Sequence, residues 1–311
     1  KWCKVMKSFF ISRLLQAIPT LLIIATLTFF MTRFAPGGPF DSEKAIPEEI
    51  KVKLESHFGL NLPLFDQYLL YMKNLLAGDL GPSFKYVGWD VSELIGVAFP
   101  VSLGLGVSAL FIALLVGLPA GMVAALRKNT LWDYLPMGLA MVGICLPTFV
   151  LGPILIMIFS TKLNLLPALG WYSWSDLILP SLTLGLFYAA YIARLTRAGM
   201  LETLKQDYVR TARAKGASPS RVVIQHALRG GLLPVVTFLG PAFAGLVSGS
   251  FIIESIFFIP GLGKFFITAA FNRDYTMVLG TVLFYATLII ALNLLVDFLQ
   301  AWLDPKAREQ R

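Results

Sequence analysis

The residues with the most evident chemistry in this 311-residue chain are four cations around a glycine. Arg210, Arg213, Lys215 and Arg221 flank Gly216 in the string Tyr208-Val209-Arg210-Thr211-Ala212-Arg213-Ala214-Lys215-Gly216-Ala217-Ser218-Pro219-Ser220-Arg221. Cations held at fixed spacing on a turn suit charge-assisted hydrogen bonding to a partner surface rather than bond breaking. Met200, Leu201, Leu204, Tyr208 and Thr211/Ala212 recur at helical spacing, and Gly216 is the natural stop just past the C-cap of that helix. Ser218 then reads as an N-cap and Pro219 as the first residue of a second short helix through Ala227. Charge alone would equally suit anionic lipid or mark topology. A hairpin specified at both ends calls for a shaped partner, because lipid attraction needs no defined turn.

Other groups offer less. Glu254, in Ile252-Ile253-Glu254-Ser255-Ile256, is an acid inside an apolar run, and such acids face a bundle interior. It reads either as an outer-gate residue or as a structural partner of a base such as Arg273. Asp297 reads as a structural bond near the opposite end of the last apolar run. One acid at each of two opposite ends makes a poor proton relay. The string closest to a phosphate-binding loop, Gly261-Leu262-Gly263-Lys264-Phe265, has Phe258 where the first glycine belongs and no Ser/Thr after the lysine. No residue is assigned to catalysis and none to a metal. Cys3 and Cys145 fall on different sides or depths and form no disulfide framework; they read as small apolar filler.

These residues must be positioned by membrane helices. Hydrophobic residues make up 57% of the chain and charged residues 14%, and mean hydropathy is +0.73. A soluble protein of this size carries roughly 25% charge. Six apolar runs of helix-spanning length are expected, at about Phe9–Thr32, Pro100–Leu126, Leu135–Phe159, Leu177–Ala193, Leu233–Phe258 and Met277–Leu303. The first is too long, and has the wrong C-terminal flank, for a cleaved signal peptide. Lys and Arg concentrate in the N-terminal segment, at Arg127 and Lys128, in the 194–232 loop and in the tail. The 194–232 loop carries eight of them against Glu202 and Asp207. The positive-inside rule puts those segments and both termini in the cytoplasm and the 33–99 loop outside. The net charge of +8 follows this topology and does not argue for nucleic acid.

The expected organisation is a cytoplasmic N-terminus and first helix (1–32), an outer loop (33–99), a five-helix core (100–303) holding the cytoplasmic loop 194–232, and a cytoplasmic tail (304–311). In the outer loop, Leu62-Pro63-Leu64-Phe65 opens a helix with Phe65, Tyr68, Leu69, Met72 and Leu76 on one face, closed by Gly78. It is too short to span, so it lies at the outer membrane boundary or packs on the outer ends of the spans. Gly117-x-x-x-Gly121 and Gly245-x-x-x-Gly249 offer small-residue seams for helix packing. Pro147 and Pro153 break the third run and Pro241 bends the fifth.

The hairpin resembles the signature loop of the permeases of binding-protein-dependent ABC importers. That motif has Glu-Ala-Ala, three residues, Gly, then an apolar stretch ending in Leu-Pro. Here Arg210-Thr211-Ala212 and Gly216 stand in those places, with Leu232-Leu233-Pro234 beyond. Arg210 departs from the general Glu, and Arg-Thr-Ala-Arg-Ala-Lys-Gly is the version usual among peptide importers. Further segments agree in order: Arg33-Phe34-Ala35-Pro36-Gly37, Gly78-Asp79-Leu80-Gly81-Pro82-Ser83-Phe84, Phe257-Phe258-Ile259-Pro260-Gly261-Leu262-Gly263, Asn272-Arg273-Asp274-Tyr275 and Asp304-Pro305-Lys306. The chain thus resembles the B-type membrane subunits of oligopeptide and dipeptide importers, the oligopeptide type most.

The resemblance implies an all-α integral membrane protein with six transmembrane helices and the type I importer permease fold, in a bacterial inner membrane. It implies that Arg210, Thr211, Ala212, Arg213, Ala214, Lys215, Gly216, Ser218 and Pro219 form the coupling helix seated in an ATPase. The implied partners are a homologous C-type permease, two ATPase subunits (D- and F-type), an extracytoplasmic peptide-binding protein, peptide substrate and membrane lipid. ATP and Mg²⁺ belong to the ATPases, and this chain carries no cofactor. Permeases of this type also serve nickel complexes, glutathione, murein peptide or haem, and a secondary transporter or channel without an ATPase is the alternative of a different class.

Overall fold

A computed structural model describes residues 2–38, 56, 58–86, 88–248 and 251–303. Among these the chain is helical, apart from one isolated bridge between Pro82 and Asp90. Helix α1 is Trp2–Phe34, α2 Leu64–Leu76 and α3 Val91–Leu126. Then come α4 Leu131–Cys145, α5 Thr148–Lys162 and α6 Trp174–Thr203, whose first turn is 3-10. Next are α7 Asp207–Ala214, α8 Pro219–Gly231, α9 Leu233–Val247, α10 Phe251–Ile256, α11 Leu262–Phe271 and α12 Tyr275–Leu303.

Among the described residues four helices are long and apolar enough to cross a membrane: Leu15–Phe34, Val91–Leu126, Trp174–Thr203 and Tyr275–Asp297. The number reaches six if two bent pairs each count as one crossing. The run expected to be a continuous third span is one of these pairs: α4 and α5 meet at Leu146-Pro147 with a bend of 107°. Pro147 lacks an amide proton, and Leu146 before it is held extended (ψ 114°), so the α4 ladder cannot continue. Pro153 and Pro241 lie within helices that continue past them. The run expected as a fifth span is also divided: α9 ends at Val247 and α10 begins at Phe251. A 50° bend at Leu232 separates α9 from α8. The fourth run is longer than expected, since α6 stays helical ten residues past Ala193, to Thr203.

The chain forms two compact units, 1–100 with 261–290, and 101–260 with 291–311. The first unit has a core of Val91, Leu94, Ile95, Ala98, Leu262, Ala269 and Met277. In it α2 lies along α1, where Tyr68 shares a hydrogen bond with Thr26 (2.9 Å) and Tyr71 stacks on Phe29. Phe65, Leu69 and Leu76 of the expected apolar face remain exposed.

Three sequence motifs far apart in the chain also meet within this first unit, at Tyr275 and at its neighbour Asp274. Its buried carboxylate accepts the Ser83 hydroxyl (2.5 Å), the Phe84 and Lys85 amides (3.2 Å each), and, as the cap of α12, the Met277 amide (3.2 Å). Thr276 donates its hydroxyl to the Pro82 carbonyl, and Tyr275 donates to the Gly37 carbonyl. The Arg33 guanidinium lies 4.7 Å over the Tyr275 ring. Burial and the neighbouring Asp274 carboxylate push the Tyr86 phenol above its ordinary range.

In the second unit α3 and α6 approach along small residues. A side chain at Gly117 would come within 2.7 Å of the Ala189 carbonyl, and one at Gly121 within 2.4 Å of the Ala193 carbonyl. In return, one at Gly185 of α6 would come within 2.8 Å of the Ala109 carbonyl. Without side chains at these three places the helix axes close up, and close packing replaces the solvophobic drive that lipid cannot supply. Gly245 is packed differently, against the Tyr188 hydroxyl, and Gly249 lies outside the described residues. Leu105, Leu179, Leu184, Leu246, Ile253 and Phe257 fill the main core.

Candidate functional site

The basic hairpin is α7, a tight turn and α8. The helix expected to run unbroken from Met200 to Ala212 is interrupted. The α6 ladder closes at Leu204, and Gln206 is extended (ψ 148°) before α7 begins at Asp207. The turn is a Schellman motif. The Ala217 amide donates to the Ala212 carbonyl (3.2 Å) and the Gly216 amide to the Arg213 carbonyl (3.0 Å). This geometry sets Gly216 at φ +80°, where a β-carbon is strained. Pro219 opens α8 after an extended Ser218, whose side chain makes no capping hydrogen bond. The α8 ladder widens to π geometry over Val222–Ala227 and runs on to Gly231, beyond the expected end at Ala227.

Exposure sorts the hairpin's residues cleanly. Arg210, Thr211, Arg213, Ala214, Lys215, Gly216, Ser218, Pro219 and Arg221 are exposed, and Ala212 is half-buried. Val209 and Val222, one from each arm, are buried. The surface ion pair of Arg210 with Asp207 (3.7 Å) is screened by water and contributes little. The exposed face therefore carries Arg213, Lys215 and Arg221 around a turn fixed by main-chain bonds.

The base of the hairpin is held rigidly. A side chain at Gly199 of α6 would lie 2.2 Å from the Gly231 carbonyl, so α6 and α8 cross in direct backbone contact. Met200, Ala125 and Ala227 form a small buried cluster there with Leu201, Leu204, Val223 and Leu228 around it. Arg197, about one and a half turns before the end of α6, closes on Asp133 in the first turn of α4. Its Nε donates to Oδ1 at 2.6 Å and its Nη2 to Oδ2 at 2.8 Å, while the Asn129 amide donates to Oδ2 at 2.9 Å. Asp133 is 1% exposed. In the sequence Arg197 is one of eight cations of the 194–232 loop, and no spacing links it to Asp133. The available signal was an acid in the first turn of an apolar helix, just after Asn129-Thr130.

The remaining candidates are dispersed. Glu254, fully buried in α10, accepts the Ser102 hydroxyl at 2.8 Å. Arg273 takes a left-handed backbone (φ +57°) in the tight link from α11 to α12, and its guanidinium packs on Gly37. Gly261-Leu262-Gly263-Lys264 forms the start of α11, with Leu262 and Gly263 buried. Cys145, expected to be filler, is exposed at the α4 end of the bend. No set of potential metal ligands occurs among the described residues.

Residues 117–309 match the family model of the binding-protein-dependent transport system inner membrane component, and residues 6–99 match the N-terminal model of such membrane components. The chain is 48% identical over 305 residues to the oligopeptide transport system permease protein OppB of Haemophilus influenzae, covering 97% of this chain and 100% of that one. It is 47% identical over the same span to OppB of Escherichia coli K12. The dipeptide transport system permease protein DppB of Bacillus subtilis is 43% identical over 303 residues, 97% of this chain and 98% of that one. Among solved structures, the MetNI methionine ABC transporter in an inward-facing conformation superposes with a TM-score of 0.57 at 18% identity, over 68% of this chain and 96% of that one. An amino acid ABC transporter crystallised with histidines gives 0.54 at 16% identity, over 68% and 94%. These two likenesses show a shared permease fold.

Proposed function

Since the chain belongs to the family of binding-protein-dependent transport system inner membrane components, we propose that it is a membrane subunit of an ATP-driven importer of oligopeptides or dipeptides. The observation that carries the mechanism is the hairpin: an exposed basic turn, locked by a Schellman motif and joined by direct backbone contact to α6. Such a body moves as one piece with the span it is welded to. Arg210–Pro219 would seat in a cleft of a separate ATPase, with Arg213, Lys215 and Arg221 meeting acidic or main-chain acceptors there. Closure of the ATPase pair would push the hairpin, and α6 would carry that motion to the path, switching access from outside to inside.

In this reading ATP and Mg²⁺ bind the ATPase subunits, and this chain hydrolyses nothing. A second, homologous C-type permease completes the path, D- and F-type ATPases drive it, and an extracytoplasmic binding protein delivers peptide to the outer loops. Both termini and the hairpin face the cytoplasm. Glu254 and Arg273 serve as structural charges near the outer end, and Gly117 and Gly121 as the helix seam.

Reconstitution in liposomes tests the division of labour. Peptide uptake is expected only with the partner permease, two ATPase subunits, a loaded binding protein and ATP. Uptake by this chain alone, driven by a proton or substrate gradient, would replace the reading with that of a secondary transporter.

A further inference from the structure

The bend between α4 and α5 borders a groove of about 450 Å³ whose lining includes Pro147, Thr148, Phe149, Phe187, Tyr188 and Gly245. Among the described residues no lining residue is charged. Its volume is that of an ordinary ligand site. Tyr188 lies within the apolar run of α6, the helix from Trp174 to Thr203.

Two lining residues carry hydroxyls, Tyr188 and Thr148, and among the described residues neither hydroxyl has a hydrogen-bond partner. Helical threonines in this unit are not all paired, since Thr196 of α6 is buried with no partner for its hydroxyl among the described residues. Thr183 and Thr237 return their hydroxyls to the carbonyl four residues back. Thr148 follows the bend, where no straight ladder presents such a carbonyl. Pro147 has no amide proton to give the Gly143 carbonyl four residues before it. Gly245 leaves the space that Tyr188 uses, since a side chain there would lie 2.8 Å from the phenol oxygen. A hydroxyl without a partner is costly in hydrocarbon, and one that opens on a groove can be met by water or by a ligand there. Transporters place such broken helices beside their substrates.

A neutral hydroxyl both donates and accepts, so it complements the N–H and C=O of an amide. A fixed charge would instead hold one class of side chain and repel another. We propose that this groove is a peptide main-chain site on the translocation path, with Thr148 and Tyr188 as its hydrogen-bonding residues and Phe149 and Phe187 as its apolar walls. The assignment rests on the peptide-import reading above, and it accounts for passage of peptides whose side chains differ.

The test uses the complete transporter in proteoliposomes with a binding protein and tripeptides of neutral, acidic and basic side chains. With Phe149→p-benzoylphenylalanine, irradiation is expected to attach a radiolabelled tripeptide. Attachment to the partner permease or to lipid, and none to peptide, overturns the proposal. Tyr188→Phe with Thr148→Val should lower uptake of all three peptides in the same proportion, on the order of 10-fold for two lost hydrogen bonds. ATP hydrolysis stimulated by the loaded binding protein should persist. Unchanged uptake, or a loss confined to one charge class, overturns the groove while leaving peptide import standing. A wild-type complex that imports no peptide at all overturns both.

Discussion

Arg197 grips Asp133 through two parallel hydrogen bonds, of 2.6 and 2.8 Å, and so ties the first turn of α4 to the last turns of α6. The hairpin hangs from the end of α6 and the Pro147 bend lies at the far end of α4. One ion pair, its carboxylate buried and its guanidinium 28% exposed, therefore stands between the hairpin and the groove. Removing one partner leaves the other charge unpaired, at up to about 3–5 kcal/mol where burial is complete and less where one partner meets water, whereas removing both costs less. Asp133→Ala is thus expected to lower the thermal midpoint of the purified complex more than Asp133→Ala with Arg197→Ala. Arg197→Lys keeps charge but loses the fork geometry, and should reduce peptide uptake per ATP hydrolysed. Equal midpoints for the single and double variants would show that the pair is not a buried electrostatic unit.

Gly216 separates backbone strain from steric clash. Nothing lies within 4 Å of where its β-carbon would sit, so substitution there is resisted only by φ +80°. Gly216→Leu should cost about 1–2 kcal/mol in the turn and uncouple ATP hydrolysis from uptake. Gly216→Asn, which tolerates the left-handed region, should retain most of both. Normal transport by the leucine variant in an intact complex would remove the turn from the coupling mechanism.

The α3–α6 seam predicts a sharp contrast between two glycines. Gly121→Leu drives a side chain into the Ala193 carbonyl and the Thr196 side chain, and should abolish recovery of folded protein from the membrane. A β-carbon at Gly138 of α4 would meet nothing within 4 Å, and Gly138→Leu should be tolerated. Yield and size-exclusion profile of the two variants read the difference, and similar profiles would contradict the seam.

Asp274 is the node of the first unit, and its loss should be felt at two places at once. Asp274→Ala strands the Ser83 hydroxyl and the amides of Phe84, Lys85 and Met277, each at about 1–3 kcal/mol if buried. Hydrogen exchange should rise in 80–86 and in the first turn of α12 together. A rise in only one of them would mean that the carboxylate does not join them.

Topology can be read with impermeant thiol reagents on intact cells, in a background with Cys3 and Cys145 replaced. A cysteine at Glu48 should react from outside, and one at Lys215 only after the membrane is opened. The reverse pattern would invert the protein.

The amino-acid sequence by itself determined the membrane class, the helix content, the approximate placement of the apolar runs and the turn at Gly216. Each of these depends on local quantities: hydropathy over a window, the missing side chain of a glycine, the missing amide proton of Pro147. The boundaries that moved did so for tertiary reasons. Helix α6 outlasts its apolar run because Gly199 and Met200 bury it against α8, and packing there outweighs the polarity of the residues beyond Ala193. Long-range polar pairing was invisible as well. Asp133 and Arg197 are 64 residues apart, and Ser83 and Asp274 are 191 apart. Neither pair has a spacing that marks it, since a carboxylate can bond any donor the fold delivers. The segments around Arg33, Gly78 and Asn272, far apart in the chain, become a single cluster only because the backbone brings their ends together. The same holds for the groove: Thr148, Tyr188 and Gly245 are ordinary residues in three separate runs, and only the 107° bend at Pro147 and the packing of α6 beside α9 made them neighbours.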